Sequence, residues 1–159
     1  MIRRLREEDL EPYVALRRAS LLDTPLAFAA SPATDFVSTV DAARQSLIFG
    51  AFDGEQIVGC VGLLRDRHPK AAHKAHVWGT YVLPSHRRRG YARALLVAAI
   101  AHARTLGIEW LHLGVTTAAS DARRVYERAG FVQWGSEPDA LRHAGESVDE
   151  ARMGLDLRG

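Results

Sequence analysis

Apolar positions in this chain follow two periods, and the two sort it into helices and strands. After an acidic first turn "EED", residues Leu10, Val14, Leu16, Ala19, Leu21 and Leu22 keep approximate helical spacing and predict a helix ending near Asp23, preceded by a short strand "IRRL". Pro25 and Pro32 bracket a loop, and a weaker helix is expected from about Thr34 to Arg44. The run "SLIFGAFDGEQIVGCVGLLRD" reads as two antiparallel strands joined at "DGEQ", and "HKAHVWGTYVL" as a third strand stopped by Pro84. From Gly90, the residues Ala94, Leu95, Ala98, Ala99, Ala103 and Leu106 predict the strongest helix, ended by Gly107. A strand "IEWLHLGV", a helix "SDARRVYERAG" capped at Gly130 and a strand "FVQWG" follow. A long loop "SEPDALRHAGESVD" then leads to a last strand in "EARMGLDL", alternating from Met153. The order is mixed α/β around an antiparallel-rich sheet.

At 159 residues, with no repeat, linker or low-complexity seam, the chain reads as a single domain over 1–159. Its 47% hydrophobic and 25% charged residues are those of a folded protein with a real core. The formal charge of +2 is too slight an excess for a dedicated nucleic-acid binder, and no helix-turn-helix pattern is evident, so no nucleic-acid partner is expected. No continuous apolar run marks a leader or a membrane span; a cytoplasmic protein without a membrane partner is the expectation. The sole cysteine, Cys60, sits in "IVGCVGLL" and reads as a small buried thiol, away from the site strands.

Candidate chemistry gathers at "LPSHRRRGYARALL", where a strand ends, three arginines follow, and a glycine opens the long helix. The first N–H groups of a helix lack intrahelical partners and carry partial positive charge, so such a junction binds anions. Gly90, without a Cβ, lets a phosphate approach the backbone, Ala92 is nearly as small, and Arg87, Arg88, Arg89 and Arg93 add charge-assisted bonds. Taken alone, the cluster reads equally well as a solvated surface. It lacks both G-x-G-x-x-G and G-x-x-x-x-G-K-[ST], which excludes the dinucleotide fingerprint and the nucleotide phosphate loop.

The same stretch resembles the acyl-CoA signature "V-x-P-x-x-R-G-x-G-x-G/A-x-x-L-L" of the GNAT acetyltransferase superfamily, through Val82, Pro84, Arg87, Arg88, Arg89, Gly90, Tyr91, Ala92, Leu95 and Leu96. A second match, "ASDARRVYERAGF", is similar to that superfamily's "N-x-x-A-x-x-L/V-Y-E-x-x-G-F". Two departures stand out: Arg88 stands where many members carry the first glycine, and Ala119 where the superfamily often has an asparagine contacting the coenzyme, so that either Ser120 or Asp121 takes over that bond or the bond is missing. The resemblance covers almost the whole chain. It implies a central twisted, mostly antiparallel sheet with a splayed strand pair and flanking helices. It also implies an acetyl-CoA-dependent N-acetyltransferase working by direct attack in a ternary complex, without a covalent enzyme intermediate. Backbone N–H groups from Arg88 to Arg93 would hold the coenzyme pyrophosphate, Tyr81 and Val82 the pantetheine arm and thioester, and Tyr126 would protonate the departing thiolate. A non-catalytic acyl-CoA-binding regulatory module is the alternative.

The acceptor is open: a small-molecule amine, or an amine of a peptide or protein. Its base is not evident. By the resemblance, His76 occupies a strand position where some members carry a basic carboxylate; it shares strand parity with Trp78, Thr80 and Val82, and His112 is the other candidate. A histidine without a chemical role is the competing reading for each. The nearby His68, His73 and His76 lack cysteine or carboxylate partners at ligand spacing, so no metal is expected. Trp78, Trp110 and Trp134 read as packing residues, with Trp78 the one placed to touch substrate. Homodimers are common among similar proteins, but no pattern here marks an interface.

Overall fold

The structure is a computed structural model that describes residues 1–35 and 39–159. Seven strands form one sheet, β1 (Ile2–Arg4), β2 (Leu47–Asp53), β3 (Gln56–Arg65), β4 (Lys74–Val82), β5 (Trp110–Thr116), β6 (Val132–His143) and β7 (Glu146–Asp156), in the order β1-β2-β3-β4-β5-β7-β6. Every neighbouring pair is antiparallel except β4 and β5. A parallel pair needs a crossover, and helix α3 (Tyr91–Thr105) supplies it. Helix α4 (Ser120–Arg128) joins β5 to β6, while α1 (Leu10–Asp23) and the six-residue α2 (Val40–Gln45) lie between β1 and β2.

Helices cover both faces of the sheet. On one face α3 buries Leu95, Leu96, Ala99 and Ala103 against Val58, Ala75, Val77, Leu111, Leu113 and Met153. On the other, Leu10, Tyr13 and Leu16 of α1 and Ala43 of α2 pack on Ile48, Phe52, Ile57, Cys60 and Tyr81. The buried stripe of α1 keeps the expected Leu10, Leu16 and Leu21 and also takes in Tyr13, Arg17 and Ser20, whereas Leu22, expected on it, is 71% exposed. Arg17 is neutralised where it lies: Nε and Nη2 each donate to a different oxygen of buried Asp35 at 3.1 Å. A pair buried this deeply is strongly destabilising to break from one side.

Turn chemistry explains the hairpins. Asp53 pairs with Gln56 across Gly54–Glu55, and Gly54 takes φ 61°. The expected loop over "SEPDALRHAGESVD" is instead the distal half of a β6–β7 hairpin closed by Ala144 and Gly145, both at positive φ (51° and 81°). A two-residue turn with both positions left-handed matches strand twist, but Ala-Gly lacks the Asn or Asp that usually announces one. The second helix is also shorter than its expected Thr34–Arg44 span. It starts at Val40 because Thr39 caps it, accepting from Ala42 N–H at 3.2 Å; positions 36–38 of that expectation lie outside the described residues.

One irregularity governs the site. Cys60 pairs with Tyr81 and Gly62 with Trp78, so β4 carries one residue more than β3 over this interval. The bulge centres on Gly79, at φ 63°, and turns the strand's side-chain alternation over.

Candidate functional site

β4 and β5 pair at Lys74–Trp110, Ala75–Leu111 and His76–His112, and the ladder stops there. Beyond it β4 continues along β3 to Val82, and β5 along β7 to Thr116, so a gap opens between two strand edges. Leu83 N–H donates to Val58 O at 2.8 Å. Alternation in an antiparallel ladder then turns the N–H and C=O of the preceding residue, Val82, toward the opposite edge, into the gap. Arg87 Nε occupies the Val82 carbonyl at 3.0 Å. The Val82 N–H is the edge's donor.

The chain leaves β4 through a 3-10 turn at Pro84–His86, held by His86 Nε2 against Asp53 (3.0 Å). Arg87 is extended, Arg88 takes φ 62°, and Gly90 takes φ 84° as the N-cap of α3. Arg88, at the position of the signature's first glycine, thus adopts a left-handed conformation of the kind that favours glycine. Alternating hands of this kind turn successive N–H groups toward one concavity suited to an anion. Arg88, Arg89, Gly90 and Arg93 are exposed, Tyr91 and Ala92 half-buried. Arg87 turns away from this array: its Nη2 donates to Asp23 at the end of α1 at 2.8 Å, and Tyr81 Oη donates to the same carboxylate oxygen at 2.8 Å. Tyr81 and Arg87 together hold the Asp23 carboxyl below the usual range, while burial and then Asp23 push the Tyr81 phenol up to about 12.

Tyr126 lies on the α3–α4 face of the gap, buried, with its ring edge-on to Phe131 at 5.9 Å. Burial raises its phenol above the ordinary value, and the Thr80 hydroxyl of β4 counteracts part of that rise. Ala119 is the N-cap of α4 and provides no side-chain cap, and Ser120 beside it is exposed.

The other face of the gap departs from expectation. Because of the bulge, His76 and Trp78 point to the α1 side while Thr80 and Val82 point toward Tyr126, so His76 does not share a face with those two. His76 is exposed at the closed end of the gap, 5.9 Å from the His112 ring between centroids. Burial, then neighbouring His76, hold the His112 imidazole below its ordinary value, and its buried Nε2 has no hydrogen-bond partner. Cys60 is not remote: it pairs with Tyr81, and its Sγ donates to Gly79 O at 3.4 Å. Burial pushes that thiol up to about 12, which keeps it inert. Trp134 is 67% exposed and is no core residue. Periodicity gave no sign of Asp23 or Arg17 as site neighbours, since their positions depend on the tertiary contacts with Tyr81, Arg87 and Asp35.

A sheet opened between one parallel strand pair, with a glycine-led helix rising from the end of β4, is the fold of the GNAT N-acetyltransferases. The chain belongs to that family: the acetyltransferase (GNAT) family profile matches residues 3–131. No curated protein matches the sequence. Solved structures with this fold include a ribosomal-protein-alanine N-acetyltransferase from Brucella melitensis (20% identity, TM-score 0.85, 99% of each chain covered). A GNAT acetyltransferase from Streptococcus pneumoniae is 23% identical, with TM-score 0.86 and 99% of each chain covered. A putative acetyltransferase from Salmonella typhimurium, determined with its cofactor acetyl-CoA, is 19% identical, with TM-score 0.87 over 100% of this chain and 94% of that one. Among the described residues no helix is long and apolar enough to cross a membrane, and no three histidine, cysteine or carboxylate side chains gather into a metal-binding group.

Proposed function

We propose that the protein transfers the acetyl group of acetyl-CoA to a primary amine by direct attack within a ternary complex. The observation that carries this reading is the backbone of the β4–α3 junction: left-handed Arg88 and Gly90 beside the first free N–H groups of a fifteen-residue helix, next to an unpaired strand edge. Nothing lies within 4 Å of where a Cβ on Gly90 would stand, so a pyrophosphate has room to reach the backbone. Acetyl-CoA supplies the activated acyl group. Arg88, Arg89, Tyr91, Ala92 and Arg93 would line the phosphate side with Gly90, and Ser120 the start of α4. Arg87 would act indirectly, bracing the loop on Asp23.

The chain's residues divide the chemistry. Val82 N–H, a fixed donor at the gap edge, stabilises negative charge developing on a carbonyl oxygen placed before it. Tyr126, whose phenol is protonated at neutral pH even at its ordinary pKa of about 10 and is pushed higher by burial, has a proton to give to a departing thiolate. Cys60 takes no part, since its thiol stays protonated and buried.

Free thiol released from acetyl-CoA tests the reading across glycine, L-lysine, tyramine, spermidine and an alanine-terminated peptide. Expected is turnover with at least one amine, an about 10²-fold or larger loss of kcat in Tyr126→Phe, and lost acetyl-CoA binding in Gly90→Glu. Coenzyme binding without thiol release from any amine would mark a non-catalytic acyl-CoA-binding module instead.

A further inference from the structure

On the α1 side of the sheet two glycines flank the opening of the gap. Gly114 lies two residues past the last β4–β5 pair, and Gly79 three residues past it on the other strand. Each makes room for a charged group from a neighbouring element. Arg17 Nη1 stands 3.2 Å from where a Cβ on Gly79 would be, and Glu150 Oε1 occupies the space that a Cβ on Gly114 would take. Leu113 and Val115 point to the α3–α4 core, so the missing side chain of Gly114, and with it the Glu150 carboxylate, is on the opposite face. Glu150 sits opposite Thr116 in the β5–β7 ladder and leans back along β5 to reach this place.

The carboxylates around this mouth are not equally committed. Asp35 has both oxygens bonded by Arg17, and Asp23 takes two donors on one oxygen. Glu150 meets Arg152 Nε at 3.3 Å on Oε1, and that arginine is shared, since its Nη2 donates to Glu137 at 3.0 Å. Glu150 retains 18% of its side-chain surface at the mouth. The two histidines suit a cationic acceptor less well. His76 stands back at the paired end of the strands, and His112 is held neutral and weakly basic by burial.

We propose, building on the acetyltransferase reading above, that Glu150 receives the acceptor amine and takes its proton. The ammonium docks on the carboxylate and gives up one proton to solvent, leaving a lone pair. That pair forms the C–N bond to the acyl carbon as the C–S bond breaks. The nitrogen becomes acidic as it bonds, and its second proton passes to Glu150 and then to solvent, while the thiolate takes the proton of Tyr126, which solvent replaces. Glycine at position 114 is then a requirement of the acceptor site: any side chain there displaces the carboxylate.

The experiment uses the full chain and the best amine of the panel above. Glu150→Gln is expected to lower kcat by about 10²-fold or more, to weaken amine binding by calorimetry with coenzyme A present at least about tenfold, and to leave acetyl-CoA affinity unchanged. Glu150→Ala is expected to recover part of its turnover when sodium formate is added, because a small carboxylate can enter the vacated space. Arg152→Gln, which breaks the ion pair and keeps the base, is expected to stay within about tenfold of wild type, as for a partly exposed pair. Glu150→Gln turning over like wild type, while Tyr126→Phe does not, would overturn the role of Glu150 and leave the transferase reading standing. A formate-insensitive loss that Arg152→Gln reproduces would do the same, making Glu150 a partner of Arg152 alone. A wild-type protein that releases no thiol with any amine overturns both readings.

Discussion

Arg88→Gly tests whether the loop between β4 and α3 stores backbone strain. Arg88 holds φ 62° at an exposed position. A left-handed L-residue costs about 1–2 kcal/mol, because its Cβ crowds the following carbonyl. Glycine removes that cost but gives back about 0.5–1 kcal/mol through the greater freedom of the unfolded chain. The net expectation is a gain of about 0.5–1 kcal/mol. For a domain of this size 1 kcal/mol moves Tm by about 2–4 °C, so thermal unfolding should rise by about 1–4 °C, and urea midpoints should rise with the slope unchanged. Relief of repulsion among the neighbouring arginines would also stabilise the variant, and Arg88→Ala separates the two causes. It removes the guanidinium and keeps the Cβ, so it should gain little. A Tm that falls in Arg88→Gly, or that rises equally in Arg88→Ala, would refute the strain argument. Because the loop presents backbone N–H groups, acetyl-CoA affinity should change less than about fivefold, the worth of one exposed charge contact.

Two further substitutions probe the elements that frame the gap. Ala119→Asn supplies the missing N-cap of α4 and should raise urea-unfolding stability by up to about 1 kcal/mol, the lower part of the usual range because ψ 51° lies away from the extended values caps prefer; tighter acetyl-CoA binding should accompany it, and unchanged affinity would place that residue outside the coenzyme contact. Asp9 is held below the ordinary carboxylate value first by Arg3, which donates from Nη1 at 2.6 Å and Nη2 at 3.0 Å, and then by Arg6 N–H. A depressed folded pKa means the stability it confers is present above the unfolded value of about 3.9 and is lost as pH falls through the lower folded value. Asp9→Asn should therefore lower stability near neutrality by about 1–3 kcal/mol and flatten the decline below about pH 4 in urea titrations. A parallel decline in both proteins would show that Asp9 carries none of it.

What the sequence disclosed and what it concealed follow one physical division. Elements fixed by local chemistry were legible: Gly54 in the β2–β3 turn, Gly90 and Gly107 at the ends of α3, and the apolar face of that helix all act within a few residues. The glycine that opens α3 after the arginine run was legible for the same reason, whereas the left-handed turn at Arg88, two residues before it, carries no glycine to announce it. Residues whose position depends on a distant partner were not. Asp23 meets Arg87 and Tyr81 across 64 and 58 positions of chain, and no periodicity signals such a contact.

The face of β4 shows how little is needed to invert a site. Strict alternation sets His76, Trp78, Thr80 and Val82 on one side, and a base on His76 would then share a face with the edge donor's side chain. One extra residue at Gly79 puts His76 and Trp78 against α1 and leaves Thr80 and Val82 toward Tyr126. Glycine is what allows the bulge, for its φ of 63° is strained for other residues, and Arg17 Nη1 crowds the place a Cβ would take. The bulge thereby separates the two halves of the proposed chemistry. In the proposed reaction the phenol that would protonate sulfur, Tyr126, stands on the α3–α4 face, and the amine would come from the α1 face. A base on that second face would have to reach the opening from outside β4, and the carboxylate lying over Gly114, which comes from β7, is the one proposed above for that role.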